Sequence, residues 1–502
     1  MKTYASLFVT LSLLTGLSAC KEPTIDEGIL PFVTPTSTDS TGGTWRTVLL
    51  TSAADIAVPQ PAATTSDAYQ SELTAVKNGL LSATPEQNTA VNYWAAGSVQ
   101  RWNQIARLLV SKYNVDAAYD EATGQYAPYD ATKPVASAPY AARLYALLSV
   151  AQYDALVVSW RAKFRYNRPS LERQGILARV PILDVPSYPS EDAAVAEASC
   201  QVLAYFFPGE TAWLKAKAAE HKQSRVWAGA CVPSDLKAGE ELAAAVAAKA
   251  IAYARNDRFD RARDPNSTWE SLRSRAPYDL TWKSLDIPAR PPMLPLAGTT
   301  RTWFDSTAIA RALPAAPPAT TTPAFQQALA EVRDLANTRT RDQWRIAEFW
   351  SDGSGTYTTP GHWNRIAEDL VRQYGQNELR SARTYALVNR AMQDGATVGW
   401  RTSFTYFVPR PSQVDPAIKT AVRIPNMPGY PSTHALLANA ATTVLVYLFP
   451  NEAEVLKAQA AEATLSQLYG GVQYRFDIDA GARSGTAVGQ LAVGWASADG
   501  AR

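Results

Sequence analysis

The chain has 502 residues, 46% of them hydrophobic, which is enough for two large cores and too much for one small domain. Its 48 basic residues stand against 46 acidic ones, a balance that excludes a general nucleic-acid binder. Three histidines and three cysteines confine any metal, imidazole or thiol chemistry to a few positions.

In chain order, Lys2 precedes an apolar run from Ala5 to Leu14. That run is too short to span a bilayer and reads as a cleaved signal over residues 1–19. The following Leu17-Ser-Ala-Cys20 resembles a bacterial lipobox. The resemblance implies a lipid-bearing Cys20, membrane anchoring through its acyl chains, and a place in the bacterial cell envelope as an outer-membrane lipoprotein facing the periplasm or the exterior. Residues 20–70, with clusters such as Thr34-Pro-Thr-Ser-Thr38, read as a flexible lipidated tether. Helical spacing begins near residue 71, over Leu73 to Leu81, Val91 to Leu109 and Tyr140 to Ser159, and defines a first bundle at 71–256.

Residues 257–323 carry prolines from Pro265 to Pro323 that exclude long helices, yet also Trp269, Trp282, Trp303 and Phe304. They read as a connector lying along both bundles. A second bundle occupies 324–502, with helix from Phe325 towards Trp350 and a last helix from about Ala480. Gly481, Gly485 and Gly489 fall on one face of that last helix, which allows close approach of a neighbour. No convincing alternating strand occurs, so the expected class is all-α, two tandem helical bundles.

The two bundles are related in sequence. Pro186-Ser-Tyr-Pro-Ser-Glu-Asp-Ala193 recurs as Pro428-Gly-Tyr-Pro-Ser-Thr-His-Ala435, and the same offset of 242 residues relates Tyr205 to Tyr447, Ser224 to Ser466 and Asp235 to Asp477. Upstream, Tyr145, Asp154 and Trp160-Arg161 match Tyr385, Asp394 and Trp400-Arg401 at an offset of 240, and Trp102-Asn103 matches Trp363-Asn364 at 261. This is an internal duplication, with copies at roughly 93–255 and 349–497.

Chemistry concentrates around the repeated motif. Ser432 precedes an apolar helical run, a cap position where free N–H groups and the helix dipole favour an anion. His434 follows in the first turn, Arg410 is a bidentate donor to an oxyanion if it points inwards, and Asp477 ends the run that begins at Ser466.

With these residues in place, the chain resembles the superfamily of type 2 phosphatidic acid phosphatases (PAP2) and vanadium-dependent haloperoxidases. That superfamily's pattern is K-x6-R-P, then P-S-G-H, then S-R-x5-H-x3-D. Ile346-Ala-Glu-Phe-Trp350, Pro360-Gly-His-Trp-Asn364 and Tyr469-Gly-Gly-Val-Gln-Tyr-Arg-Phe-Asp477 resemble its bacterial haloperoxidase branch. The resemblance implies a helical bundle whose cations hold phosphate or vanadate, with the His of P-S-G-H as general acid and the last His as nucleophile or vanadium ligand, oriented by the Asp.

Carried over by position, the second copy keeps Arg410, Ser432, His434, Ser466 and Asp477, with His434 and Asp477 as the catalytic candidates. Ser403 stands where the Lys is expected, Thr433 where the Gly is, Gln467 where the Arg is, and Gln473 where the nucleophilic or metal-binding His is. A Gln amide is neither a nucleophile nor a good metal ligand. The first copy keeps Lys163, Arg168, Ser190, Arg225 and Asp235, but has Glu191-Asp192 for Gly-His and Cys231 for the last His. Its carboxylates repel phosphate and suit an internal salt-bridge cluster.

Outside these motifs, His362 reads as a turn anchor, His221 as a solvated residue of a polar helix, and Cys231 as inert, bonded to Cys200, or a reactive thiolate beside Arg225. Two functions follow: a diverged hydrolase, haloperoxidase or oxyanion-binding protein, its ligand a phosphoester, phosphate or vanadate; or a non-catalytic envelope lipoprotein offering the bundles to a protein partner of unknown identity.

Overall fold

Two helices of 29 residues each, Ala138–Tyr166 and Glu378–Tyr406, lie against one another at the centre of the protein. In the computed structural model, residues 30–127 and 129–501 are described; the signal sequence and the Cys20 lipid site lie outside them. Both central helices are buried around nearly their whole circumference, charged residues such as Asp154 and Asp394 included, so that they sit surrounded by protein. Ala138–Tyr166 is long and apolar enough to cross a membrane, but its apolar window is wholly buried in protein, as for a core helix. Each central helix ends on a left-handed residue, Asn167 (φ 50°) or Phe407 (φ 48°).

Around this pair the remaining helices repeat. Ser98–Tyr113 corresponds to Thr358–Gln373, and Glu191–Phe206 to Thr433–Leu448, each pair equal in length. Thr211–Trp227 and Pro233–Arg255 correspond to Ala453–Tyr469 and Arg475–Ala496. On the last helix Gly481 and Gly485 face the Ser432 and Leu436 carbonyls so closely that a Cβ on either would clash. Strand is confined, among the described residues, to a two-residue pairing of Tyr119–Asp120 with Gln125–Tyr126.

Several boundaries differ from the sequence reading. The expected helix from Val91 to Leu109 is two helices, Pro85–Trp94 and Ser98–Tyr113, because Gly97 breaks the path at φ 116°. The helix from Phe325 towards Trp350 is likewise divided, into Pro323–Thr338 and Arg341–Phe349. The cores of the two bundles are continuous: one cluster contains Trp102, Tyr145, Trp160 and Leu203 together with Trp363, Tyr385, Trp400 and Leu445. Each such buried side chain contributes roughly 1.5–3 kcal/mol through loss of apolar surface from water.

The flexible tether is also corrected over its second half. Trp45, Leu50 and Ile56 are buried, and the carboxylate of Asp154 on the first central helix accepts the backbone N–H groups of Val48 (2.8 Å), Leu49 (2.7 Å) and Leu50 (3.2 Å). Within the expected connector, Asp394 accepts the N–H groups of Trp303 and Phe304, both at 2.9 Å, from the second central helix. Residues 43–50 and 298–304 are thus equivalent arms, one belonging to each copy. Each arm also crosses to the other half: Arg46 N donates to Asp499 O (2.7 Å), and Arg301 N to Asp257 O (2.8 Å). Those aspartates close the last helix of the opposite copy and pair with Arg383 and Arg143.

Asp394→Ala is expected to leave two enclosed N–H groups unpaired and to destabilise the protein by about 2–4 kcal/mol, measured by urea unfolding. Asp154→Ala is expected to match it, because it strips the same support from the other arm.

Candidate functional site

The second-copy pocket forms where three backbone turns converge. Ser432 caps Thr433–Leu448, its Oγ accepting Ala435 N–H (3.3 Å), and its own N–H donates to the carbonyl oxygen of Asp477 (2.9 Å). Asp477 lies in the first turn of Arg475–Ala496 and accepts Tyr474 N–H at Oδ2 (2.9 Å). The structure therefore brings Arg410, Ser432, Gln473 and Asp477 together. Arg410, 1% exposed, donates through Nε to Met427 O (3.0 Å) and through Nη1 to Val472 O (3.1 Å).

The remaining candidates are held by local partners. Ser403 Oγ donates to Tyr430 O (2.9 Å), and Gln467 Nε2 donates to Ser466 Oγ (3.2 Å). Thr433 packs its methyl group near Gly399. His434 reaches out of this group: its Nε2 lies 3.2 Å from the Ser351 carbonyl oxygen, so that nitrogen carries the proton. Burial lowers the His434 pKa, against the opposing charge of Asp352, so the ring is neutral at neutral pH. Asp352 and Ser351 were not singled out in the sequence; Asp352 also holds His362 Nδ1 (2.9 Å), whose ring stacks on Trp350 at 4.4 Å.

Two buried acceptor atoms in the pocket, Gln473 Oε1 and Asp477 Oδ1, have no donor among the described residues. Burial pushes Asp477 up to about 7 and pulls Arg410 down to about 10. A vanadate or phosphate dianion needs converging donors, and the site offers one guanidinium already committed to two carbonyls beside orphaned acceptors. The residues do not fit that group.

The first-copy pocket is packed with ion pairs. Lys163 Nζ meets Glu191 Oε2 (2.7 Å) and also donates to Pro186 O (2.6 Å). Arg168 meets Asp235 (2.8 Å), donates to Ala62 O (2.8 Å), and lies over the rings of Tyr69 and Tyr188. Arg225 meets Asp192 (3.2 Å). Ser190 caps its helix through Ala193 N–H (3.2 Å). Lys163, Arg168 and Arg225 thus each face a carboxylate, while Arg168 Nε and Arg225 Nη1 are buried with no hydrogen-bond partner among the described residues.

The solvated role expected for His221 is overturned. It is fully buried, stacked on Trp94 at 4.1 Å, with Trp102 Nε1–H donating to its Nδ1 (3.1 Å) and Ser98 Oγ at 3.0 Å from its Nε2. It shares the inward face of its helix with Leu214, Ala218 and Arg225, a periodicity hidden by the intervening Lys, Glu and Gln residues. Ser98 in turn bonds Asp192, so the chain Trp102, His221, Ser98, Asp192 ends on a carboxylate that burial would raise but that Arg225 and His221 hold well below its usual range. The reactive-thiolate option for Cys231 is also excluded. Cys231 and Cys200 are free, not bonded to each other, and burial pushes both thiols up, Cys200 to about 11.

Glu378, from the second copy, completes this pocket by accepting Ser98 N–H (2.8 Å) and Val99 N–H (2.9 Å). It has no counterpart among the motif positions, which is why the sequence did not point to it.

No family model and no curated protein sequence matches this chain. Solved structures do. A bacterial vanadium-dependent iodoperoxidase superposes with a TM-score of 0.57 at 22% identity, over 72% of this chain and 91% of that one. A bacterial vanadium-dependent chloroperoxidase, in holo and apo forms, superposes with a TM-score of 0.53 at 13% and 14% identity, over 76% of this chain and 98% of that one. The chain has the vanadium-dependent haloperoxidase fold.

Glu378 supplies a test of the first-copy pocket. Burial, then the charge of Asp192, pushes its carboxyl from 4.5 to about 7, so the folded state holds a proton that the unfolded state has released. Its ionisation therefore costs stability as pH rises from about 4.5 through about 7. The melting temperature of Glu378→Gln relative to the wild type is expected to move in the variant's favour between about pH 5 and about pH 8. A difference that stays constant contradicts the assignment.

Proposed function

We propose that this protein is a non-catalytic haloperoxidase-fold lipoprotein of the bacterial envelope, in which both ancestral oxyanion pockets serve as internal polar joints and the paired bundles act as a platform for a partner. The lipid anchor rests on Leu17-Ser-Ala-Cys20. The observation that supports the loss of chemistry is the state of Arg410: its Nε and Nη1 donate to Met427 O and Val472 O, while Gln473 Oε1 and Asp477 Oδ1 are buried with no hydrogen-bond partner among the described residues. Phosphoryl transfer needs an imidazole in place of Gln473, and the amide supplies neither a nucleophile nor a metal ligand. His434 retains the position of the acid, but it is neutral and its Nε2 proton is directed at Ser351. In the first pocket Asp192 occupies the corresponding place and is held as a carboxylate by Arg225.

The decisive assay is hydrolysis of an aryl phosphate, and oxidation of iodide and bromide with peroxide and vanadate, by the wild type and by a Ser403→Lys, Gln467→Arg, Gln473→His variant. The wild type is expected to be inactive in each reaction, with any gain confined to the triple variant. Wild-type turnover that disappears in Arg410→Ala contradicts the proposal and supports the diverged-enzyme reading.

A further inference from the structure

An open cleft lies away from both motif pockets, between the second arm, the end of Pro233–Arg255 and the outer face of Glu378–Tyr406, with a volume of about 1010 Å³. It is lined by Arg258, Arg301 and Arg401, one from each of these three elements, against a single lining carboxylate, Asp305. That carboxylate is engaged in capping a short helix, accepting Thr307 and Ala308 N–H groups, both at 3.0 Å. All three arginines are exposed, and none forms an ion pair among the described residues.

Arg301 is fixed without losing its hydrogen-bonding edge: its guanidinium lies 5.0 Å over the Tyr253 ring, which stacks in turn on Trp303 at 4.4 Å. A stacked guanidinium keeps its N–H fork free for a phosphate or sulfate. Arg258 is presented from a left-handed backbone position at φ 70°. Arg401 is brought to the cleft where Gly298 lies so close to its backbone that a Cβ would clash.

The other polar groups of the lining have the opposite character. The hydroxyls of Thr299, Thr300, Thr302, Thr397 and Thr405 each donate to a backbone carbonyl, at 2.7–3.2 Å, leaving oxygen lone pairs as their remaining capacity. The cleft thus combines cationic donors with neutral acceptors. A bare anion meets only the first set; a neutral sugar meets only the second. A molecule bearing both an anionic group and hydroxyl donors meets both.

We propose that this cleft binds a hydroxyl-bearing anion of sugar size, a phosphorylated or sulfated sugar, gripped by Arg258, Arg301 and Arg401. The volume suits one or two rings, within the usual range of ligand sites. The same chemistry is offered by a free sugar phosphate and by an inositol lipid headgroup. The proposal does not depend on whether the motif pockets are inactive.

Calorimetry on the whole protein with glucose 6-phosphate, glucose and inorganic phosphate tests it, alongside co-sedimentation with phosphatidylcholine vesicles with and without phosphatidylinositol. Glucose 6-phosphate is expected to bind more tightly than either inorganic phosphate or glucose. A double variant, Arg258→Gly with Arg401→Ala, is expected to weaken that binding by about tenfold or more, the loss typical of removing charge-assisted hydrogen bonds, with an unchanged melting temperature because both side chains are exposed. Binding to phosphatidylinositol vesicles that the same variant abolishes also supports the site and assigns the headgroup as its source. The proposal is overturned if neither the sugar phosphate nor the vesicles bind at millimolar ligand, if binding survives in the double variant, or if glucose binds as well as its phosphate.

Discussion

The constraint on which the structure depends is the joint between the two halves, formed by the central helices and by Ser98–Tyr113 against Thr358–Gln373, where equivalent residues meet each other. Asn103 Nδ2 donates to Asn364 Oδ1 (2.9 Å), and Asn389 Nδ2 reaches Ser149 Oγ (3.5 Å); in each case the partners stand at matching positions of the repeat. Such self-matching contacts mark a pseudo-two-fold axis, the arrangement found at isologous interfaces. On the same axis Arg107 and Glu368, also matching positions, form a buried ion pair. A duplicated chain begins with identical residues at its axis. Arg107 opposite Glu368 is the kind of change open to a fused chain and closed to a symmetric dimer, because each half mutates separately.

The state of the two motif pockets follows from the same physics of buried polar groups. A cation kept in a sealed interior needs a partner, and removing one member of a buried pair leaves an uncompensated charge that costs about 3–5 kcal/mol. In the first half, Glu191 and Asp192 supply partners for Lys163 and Arg225. In the second half, Ser403 and Gln467 stand where the superfamily pattern carries cations, and Arg410 remains on backbone carbonyls. The two pockets thus differ in kind: the first pairs its cations with carboxylates, and the second has a hydroxyl and an amide at the matching positions. A separate carboxylate ties the halves together, since Glu378 of the second copy accepts the Ser98 and Val99 N–H groups in the first turn of Ser98–Tyr113.

Much of this was legible in the sequence, and the exceptions have physical causes. The helices after the Tyr-Pro-Ser motifs stood out because their buried faces follow a helical period and their caps are serines. The arms were not recognised, because a stretch dense in Thr, Ser and Pro has the composition of a linker. The signal was nevertheless present: Gly43-Thr-Trp-Arg-Thr47 recurs as Gly298-Thr-Thr-Arg-Thr302, too short to stand out until Asp154 and Asp394 are seen to hold them. His221 was misread because its polar neighbours mask the inward face that it shares with Leu214 and Ala218. Glu378 and the Arg258, Arg301, Arg401 cleft lay beyond reach, since they depend on elements distant in sequence and on no local motif.

The central claim is that the two halves form one cooperative unit, joined by a shared core, crossed arms and a polar axis. Hydrogen exchange followed by mass spectrometry under native conditions tests it most directly, by comparing amides of Ala138–Tyr166 with those of Glu378–Tyr406. Equal protection of both helices, lost together with increasing denaturant at the free energy of global unfolding, is the result this account predicts. One helix opening at markedly lower free energy while the other stays protected would contradict it.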